Sequence, residues 1–476
     1  MERNLYLLAA DDSPISVELY AEQMKKGNPV ILLNSRNSLA HLEQCMQKYQ
    51  PMYVCVTAEQ RAEKRLAAGG YRMESEHAQY QIWRRASEPA WTGKLHQGLA
   101  VLLSTSGSTG SSKMVMLSYE NLRANAEAII RSLQIRKGDR AAVMLPISYS
   151  YGLSVVNSYL LSGGELLFPK GNIVQTEYWD SLEQMGVQAI CGVPYTYRIL
   201  QRLKIMQRPL QELKLMTQAG GGLSLSLQQY FLKEAQRRQI HFAVMYGQTE
   251  ATARMSCFFL DEHTDKLGSV GQVIPGGAFR IKMEGNRSVA DSRRRQENLP
   301  CGKEYAGEIL YQGRNISMGY ACSWKDLLVS ECVHPEYVDH SGWLHTGDLG
   351  WLDADGYLYL TGRKKRILKL RGYRVNLDEL QEKISERLCR DTVCIAVLKR
   401  DSSRSFDATA EQQKQSTSEE LCVVLEQSEA DVSAETREEV ERVLAEFCVS
   451  RNEYRICITD RILRGDNGKV QYEKLK

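Results

Sequence analysis

The sequence predicts an α/β protein: helix-covered, mostly parallel sheets, then a more antiparallel region, then a small α+β domain. Three observations predict it. From about residue 99, short apolar runs alternate with polar or glycine-rich turns and amphipathic stretches, the pattern of repeated β–α units. After about residue 265, Gly268, Gly271, Gly276, Gly277 and Pro275 punctuate short alternating segments. From about Arg363 onward, the order of helix and strand patterns fits a separate small domain.

The elements follow in order. Residues 99–103 form a strand candidate; after a polar loop, Ser118 reads as an N-cap, with Leu122, Ala126, Ile129, Ile130 and Leu133 at helical spacing behind it. Apolar runs at 141–145, 165–168, 188–193, 213–216 and 241–245 continue the strands, with helix-like stretches between several of them. Residues 308–311 and 357–360 read as strands of the antiparallel region, and the polar, basic run 284–303 as an exposed loop. In the last region Asn376 and Glu379 resemble a capping box, and Leu377, Leu380, Ile384 and Leu388 mark one helix face. Strands are expected at 392–398, 421–425 and 454–459, a helix at 435–447, and a loop at 401–420.

Composition narrows the function. The 476 residues are 43% hydrophobic and 25% charged, which excludes disordered and collagen-like chains. Lysine plus arginine (61) nearly balances aspartate plus glutamate (58), so nothing points to nucleic acid or an anionic membrane as partner. The 12 cysteines contain no Cys-x-x-Cys pair, which removes the usual zinc and redox motifs. The apolar run at residues 5–10 is too short for a signal peptide, so a cytoplasmic location is the expectation. The uncharged stretch 141–164 holds Pro146, Asn157, five serines and three tyrosines, which reads as buried strand, loop and helix rather than a membrane span.

Five segments carry chemistry. Ser104 through Lys113 (STSGSTGSSK), placed between a strand and a helix, offers backbone N–H groups, hydroxyls and a lysine to a phosphate. It fails the Walker pattern at Ser112 and Met114, which disfavours a P-loop ATPase. Tyr246-Gly247-Gln248-Thr249-Glu250 joins a ring that could stack on a purine to a carboxylate that could ligate magnesium. In 342–348 (GWLHTGD), Asp348 sits in a turn suited to a ribose diol. The basic run 362–375 and the turn 466–470, presenting Lys469, complete the set. Each segment also has a plain reading: a flexible turn, a helix start, a local Asx turn, a solvated hairpin, a surface lysine.

Together and in this order they resemble the adenylate-forming superfamily of AMP-dependent synthetases and ligases: acyl-CoA synthetases, adenylation domains of non-ribosomal peptide synthetases and beetle luciferases. The likeness runs from about residue 99 to the C-terminus, and the first hundred residues look shortened against the family. It implies an ATP- and acid-binding domain over 1–363, including a small barrel-like antiparallel part, and a mobile lid domain over 364–476. It implies that Thr105, Ser106, Gly107, Ser108, Thr109, Gly110 and Lys113 surround the β- and γ-phosphates. Gly220, Gly221 and Gly222 would line the adenine slot, with Tyr246 stacked on the base. Thr249 would meet the α-phosphate, Glu250 would hold Mg2+, and Asp348 would bind the ribose with help from Arg363. Lys469 would reach the reacting carboxylate and α-phosphate. Tyr149 and Gly247 would flank the acyl pocket, Lys365 would mark the hinge and Gly372 the thiol tunnel.

The implied reaction is ATP-dependent formation of an acyl-AMP with release of pyrophosphate, then transfer to coenzyme A or to the phosphopantetheine of an acyl carrier protein. Transfer to an amine, a luciferase-like oxygenation and a non-catalytic nucleotide-binding protein are the rival readings. The segment 145–153 holds no acid to pair a substrate ammonium, and an unpaired ammonium is costly to bury, so the expected substrate is a carboxylic acid without an α-amino group.

Overall fold

The computed structural model describes residues 3–87, 94–104, 113–283, 288–291, 301–328, 335–370, 373–388, 393–399, 419–426, 434–447, 449–451, 453–463 and 470. The described chain divides into two compact units. The first comprises 1–305, 309–346 and 352–359; the second comprises 306–308, 347–351 and 360–476.

The first unit is built on two large sheets. Strands β1 (Tyr6–Ala10), β2 (Val30–Asn34), β3 (Tyr53–Thr57), β4 (Tyr71–His77), β5 (Tyr80–Arg85), β6 (Leu99–Ser104) and β7 (Met114–Ser118) form one sheet, completed by Gly319–Ala321 antiparallel to β7. Its centre, β6-β2-β1-β3, is parallel. These strands read as near-continuous apolar runs because both faces are covered, as parallel sheets require. Helices α1 (Pro14–Lys26), α2 (Leu39–Tyr49) and α3 (Glu63–Ala68) punctuate them along the chain.

Helices α4 (Tyr119–Leu133) and α5 (Ser150–Ser162) come next. Ser118 caps α4 as expected: its hydroxyl accepts from Asn121 N at 3.0 Å, and Asn121 Oδ1 accepts from Ser118 N at 2.9 Å. The second sheet contains β8 (Arg140–Ala142), β9 (Glu165–Leu167), β10 (Ala189–Gly192), β11 (Leu215–Gln218), β12 (His241–Tyr246), β13 (Ser256–Phe259) and β14 (Gln272–Val273), in the order β14-β13-β12-β11-β10-β8-β9. β9 through β12 pair in parallel by way of β8, and β13 and β14 are antiparallel. Helices α6 (Thr176–Gln184), α7 (Pro194–Arg202) and α8 (Leu225–Arg238) bury Trp179, Tyr197 and Phe231 in one cluster with Phe242. The uncharged stretch 141–164 resolves into β8, a loop and α5, and no helix among the described residues is long and apolar enough to cross a membrane.

Two expectations need correction. The segment 104–113 is followed by a strand, not directly by a helix: β7 comes next and pairs antiparallel with β6. The run 284–303 contains a strand, β16 (Ser288–Asp291), which returns against β15 (Ala278–Lys282). Its charged composition hid a hairpin arm; edge strands tolerate such residues.

In the second unit, β17 (Ile367–Leu370) and β18 (Tyr373–Asn376) form a hairpin that leads into α9 (Leu377–Arg387). Asn376 caps α9, its Oδ1 accepting from Asp378 N and Glu379 N. β19 (Val393–Lys399) pairs antiparallel with β20 (Glu419–Glu426), and β20 pairs parallel with β21 (Tyr454–Thr459). Leu380, Ile384, Val423, Val440 and Leu444 join these strands to α9 and α10 (Ala434–Glu446) in one core.

Candidate active site

The sharpest geometry in the first unit lies just past β12, at residues 247–254. Tyr246 ends the strand, Thr249–Ala251 make one 3-10 turn, and the chain then doubles back. Thr252 and Ala253 both sit at positive φ, +54° and +90°. A β-branched residue there is an outlier, and such positions cost about 1–3 kcal/mol each unless the surroundings fix them. Gly247 shows how tight the return is: a Cβ on it would lie 1.7 Å from the carbonyl oxygen of Ala253.

The surroundings fix this loop from several sides. Asn315, 3% exposed, donates from Nδ2 to Ala251 O at 2.7 Å, while its carbonyl accepts from Thr252 Oγ1 at 2.6 Å. Asn125 of α4 donates to Arg254 O at 2.7 Å. Ser317 N donates to Glu250 O at 2.8 Å. The outcome is a preorganised turn with two chemically useful side chains, Thr249 and Glu250, each half-buried.

Both side chains meet partners that matter for chemistry. Thr249 Oγ1 lies 3.1 Å from Ser150 Oγ at the start of α5. Glu250 Oε1 accepts from the Tyr320 hydroxyl at 2.7 Å. Lys113, at the far end of the hydroxyl-rich segment, sets its Nζ 3.7 Å from the centre of the Tyr320 ring and 3.5 Å from Glu336. Burial, then the charge of Glu250 and its hydrogen bond, push the Tyr320 phenol well above its ordinary value, so it remains a donor. The other carboxylate oxygen of Glu250 has no protein partner among the described residues. It is a hard oxygen ligand that suits Mg2+.

Tyr149 precedes Ser150 and caps α5. Gly220, at φ +82°, presses on it: a Cβ there would lie 2.4 Å from the Tyr149 hydroxyl oxygen. Gly221 and Gly222 are exposed beside it, and a Cβ on Gly222 would meet nothing within 4 Å. The structure therefore sets Lys113 and Glu250 on the same Tyr320, and brings Thr249 to Ser150 and Tyr149 to Gly220. Tyr246, expected to stack on the base, ends β12. It is 7% exposed and packs with Met255 and Phe279.

Asp348 and Arg363 belong to the second unit. Arg363 Nε lies 3.1 Å from Asp348 Oδ1, and Asp348 is 8% exposed. Lys364 Nζ pairs with Glu308 at 3.0 Å, while Lys365 is exposed. Thr105, Ser106, Gly107, Ser108, Thr109, Gly110, Gly372 and Lys469 lie outside the described residues. A separate group, His241, Asp261 and Glu262, places ligand-type atoms close together. Asp261 is already engaged by His241 Nδ1 at 2.9 Å and Phe242 N at 2.7 Å.

Sequence reasoning missed Ser150, Tyr320, Asn125 and Asn315. The one signal for Asn125 is weak: with Asn121 it forms a pair of polar residues four apart on the apolar face of α4. Tyr320 and Asn315 carry no local signal, because they reach the turn through tertiary contact.

The family model for AMP-binding enzymes matches residues 15–321. The chain belongs to this family. Among curated relatives of this AMP-binding enzyme, a 2-succinylbenzoate–CoA ligase of Bacillus velezensis is 28% identical over 273 residues, covering 56% of this chain and 50% of the relative. A probable 4-coumarate–CoA ligase 2 of Dictyostelium discoideum is 27% identical over 292 residues, covering 60% and 49%. The chain thus spans about half the length of the curated relatives it matches. Among solved structures, o-succinylbenzoate CoA synthetase from Bacillus subtilis, in complex with its acyl-adenylate intermediate, superposes with a TM-score of 0.71 at 19% identity. The match covers 100% of this chain and 88% of that one. ATP-bound MatB from Rhodopseudomonas palustris gives 0.71 at 20%, with the same coverage. Both show the fold of adenylate-forming enzymes.

Proposed function

We propose that this AMP-binding enzyme activates a carboxylic acid with ATP. The acid oxygen attacks the α-phosphorus, pyrophosphate leaves, and the acyl-AMP is then opened by a thiol, of coenzyme A or of a carrier protein's phosphopantetheine. The single observation that supports this best is the pinned 247–254 turn, which offers Thr249 to a phosphate beside Ser150 and Glu250 to a cation beside Tyr320.

A carboxylate is a weak nucleophile, and negative charge gathers on the α-phosphoryl group as it attacks. Positioning and electrostatics therefore carry the reaction. Thr249 and Ser150 would donate to the α-phosphate. Glu250 would hold Mg2+, with Tyr320 fixing its other oxygen; the bound ion neutralises phosphate charge. Lys113, with the hydroxyls and backbone of Thr105 through Gly110, would take the outer phosphates. Gly220, Gly221 and Gly222 would give the base its slot, with Tyr246 stacked on it. Asp348 and Arg363 would serve the ribose from residues the family assigns to it, and Lys469 would reach the reacting oxygens from the 364–476 domain. Tyr149, set against Gly220, and Gly247 would bound the acyl pocket; the segment 145–153 holds no carboxylate to pair an ammonium, which supports a carboxylic acid without an α-amino group. The relatives' printed names, a probable 4-coumarate–CoA ligase and a 2-succinylbenzoate–CoA ligase, support the reading as an acid–thiol ligase.

The test is a panel of carboxylic acids with ATP and Mg2+, offered coenzyme A and a phosphopantetheinylated carrier in parallel. Pyrophosphate release plus a thioester is the expected result; an amide product with added amines would move the second step to an amine acceptor. Lys469→Ala should slow adenylation by about 10²–10³ while nucleotide binding stays close to parent. Equal rates would remove Lys469 from the first step, and tight ATP binding with no turnover on any acid would leave a non-catalytic nucleotide-binding protein.

A further inference from the structure

Arg254 takes a full charge into the interior of the first unit. Its side chain is 2% exposed and meets no carboxylate among the described residues. Nε and Nη2 donate to Ser154 Oγ at 2.9 and 2.7 Å, and Nη2 also donates to Ser158 Oγ at 3.2 Å. Nη1 faces the Met245 sulfur at 3.9 Å, and the guanidinium lies 5.6 Å from the centre of the Tyr151 ring. All these partners are neutral, and burial lowers the guanidinium's proton affinity. A side chain of similar volume without charge would fill this space at less desolvation cost.

The geometry gives the charge a use. Ser150, Ser154 and Ser158 recur every four residues on α5, which puts their hydroxyls on one face. The first meets Thr249, and the other two hold Arg254. The main chain of Arg254 is held as well, by Asn125, which itself accepts from Ser154 Oγ at 3.0 Å. Between Thr249 and Arg254 lie the two left-handed residues, Thr252 and Ala253. The strained turn is therefore fastened at both ends to one stripe of hydroxyls. We propose that Arg254 is a positioning residue: clamped on Ser154 and Ser158, it holds the Thr249–Glu250 turn in its reactive shape. This rests on the adenylating reading for its consequence in rate, though not for its consequence in loop order.

The experiment compares the parent with R254M, R254K and T249A. R254M removes charge and donors at similar volume. Both serines keep a bond in it, Ser154 to Asn125 and Ser158 to Ser154 O. Acid-dependent pyrophosphate release should fall by about 30-fold or more, as for a displaced reacting group, with KM for ATP within about threefold. The thermal midpoint should hold or rise. Backbone amides of residues 251–255 should exchange with deuterium about tenfold faster, while those of β12 stay unchanged. R254K, which keeps a charge and a donor, should recover part of the rate. Parent-like turnover and exchange in R254M would overturn the proposal. So would loss of midpoint in step with activity and faster exchange through β12, the mark of a merely structural side chain. A parent inactive toward every acid would sink the adenylating reading instead, and the exchange comparison would still decide the role of Arg254.

Discussion

Among the described glycines, Gly247 is the one whose replacement by alanine should damage this protein most. The new Cβ would stand 1.7 Å from the carbonyl oxygen of Ala253, where contacts under 3.0 Å are essentially never found. The two strands of the turn must part by about 1.3 Å, and neither atom is the end of a flexible side chain. Overpacking of this kind costs about 1–3 kcal/mol. Parting the strands also strains the bond from Ala253 N to Gln248 O, now 3.2 Å, worth about 1 kcal/mol. The total, about 3 kcal/mol, corresponds to a fall of roughly 5 °C in the midpoint of the first unit. A displacement above 1 Å beside Thr249 and Glu250 should also cost about 10² in rate. Differential scanning calorimetry and pyrophosphate release read the two effects. Gly222→Ala is the matched control: nothing lies within 4 Å of the added atom, so its midpoint should stay at the parental value. If G247A matched the parent in both assays, the tight return of the chain at Ala253, and the strain argument built on it, would be wrong.

Two further outcomes follow from particular contacts. Tyr320→Phe removes the donor to Glu250 Oε1 but keeps the ring under Lys113, so the Mg2+ concentration for half-maximal rate should rise about tenfold with little change in midpoint; an unchanged Mg2+ dependence would exclude the Tyr320 hydroxyl from orienting Glu250. Alkaline stability should fall steeply, because burial pushes the Tyr20, Tyr151, Tyr197 and Tyr311 phenols above their ordinary 10.0 and the Cys55 and Cys257 thiols from 9.0 up to about 12. Above pH 9–10 the unfolded chain gives up these protons while the folded chain keeps them. The unfolded state then binds fewer protons and stability falls as pH rises, by up to about 1.4 kcal/mol per pH unit per group. Urea midpoints at pH 8, 9.5 and 10.5 check it; a flat profile would contradict the burial of these groups.

The sequence showed the β–α rhythm from Leu99 to Tyr246 because both sheet faces are covered there and the apolar runs are nearly continuous. Ser118 and Asn376 marked their helices for a local reason, a side-chain acceptor facing free N–H groups. The strand at Ser288–Asp291 was hidden by its polar composition, and β7 by its position directly after a loop that looked ready to open a helix. Thr249 and Glu250 stood out as a short motif, yet the residues that shape their turn could not. Asn315 and Tyr320 lie far along the chain, and the strain at Thr252 and Ala253 arises only when Asn125, Asn315 and Arg254 close around them. In the uncharged stretch 141–164 the serines counted only against a membrane span; their four-residue spacing is what the turn is fastened to.

Acid-dependent exchange of labelled pyrophosphate into ATP tests the adenylation step by itself, before any thiol is added. With Mg2+ and a carboxylic acid of the right shape, label should enter the β- and γ-phosphates of ATP, and hydroxylamine should trap the acyl group as a hydroxamate. Absence of exchange with every acid in a broad panel, or cleavage of ATP to ADP and phosphate instead, would contradict it.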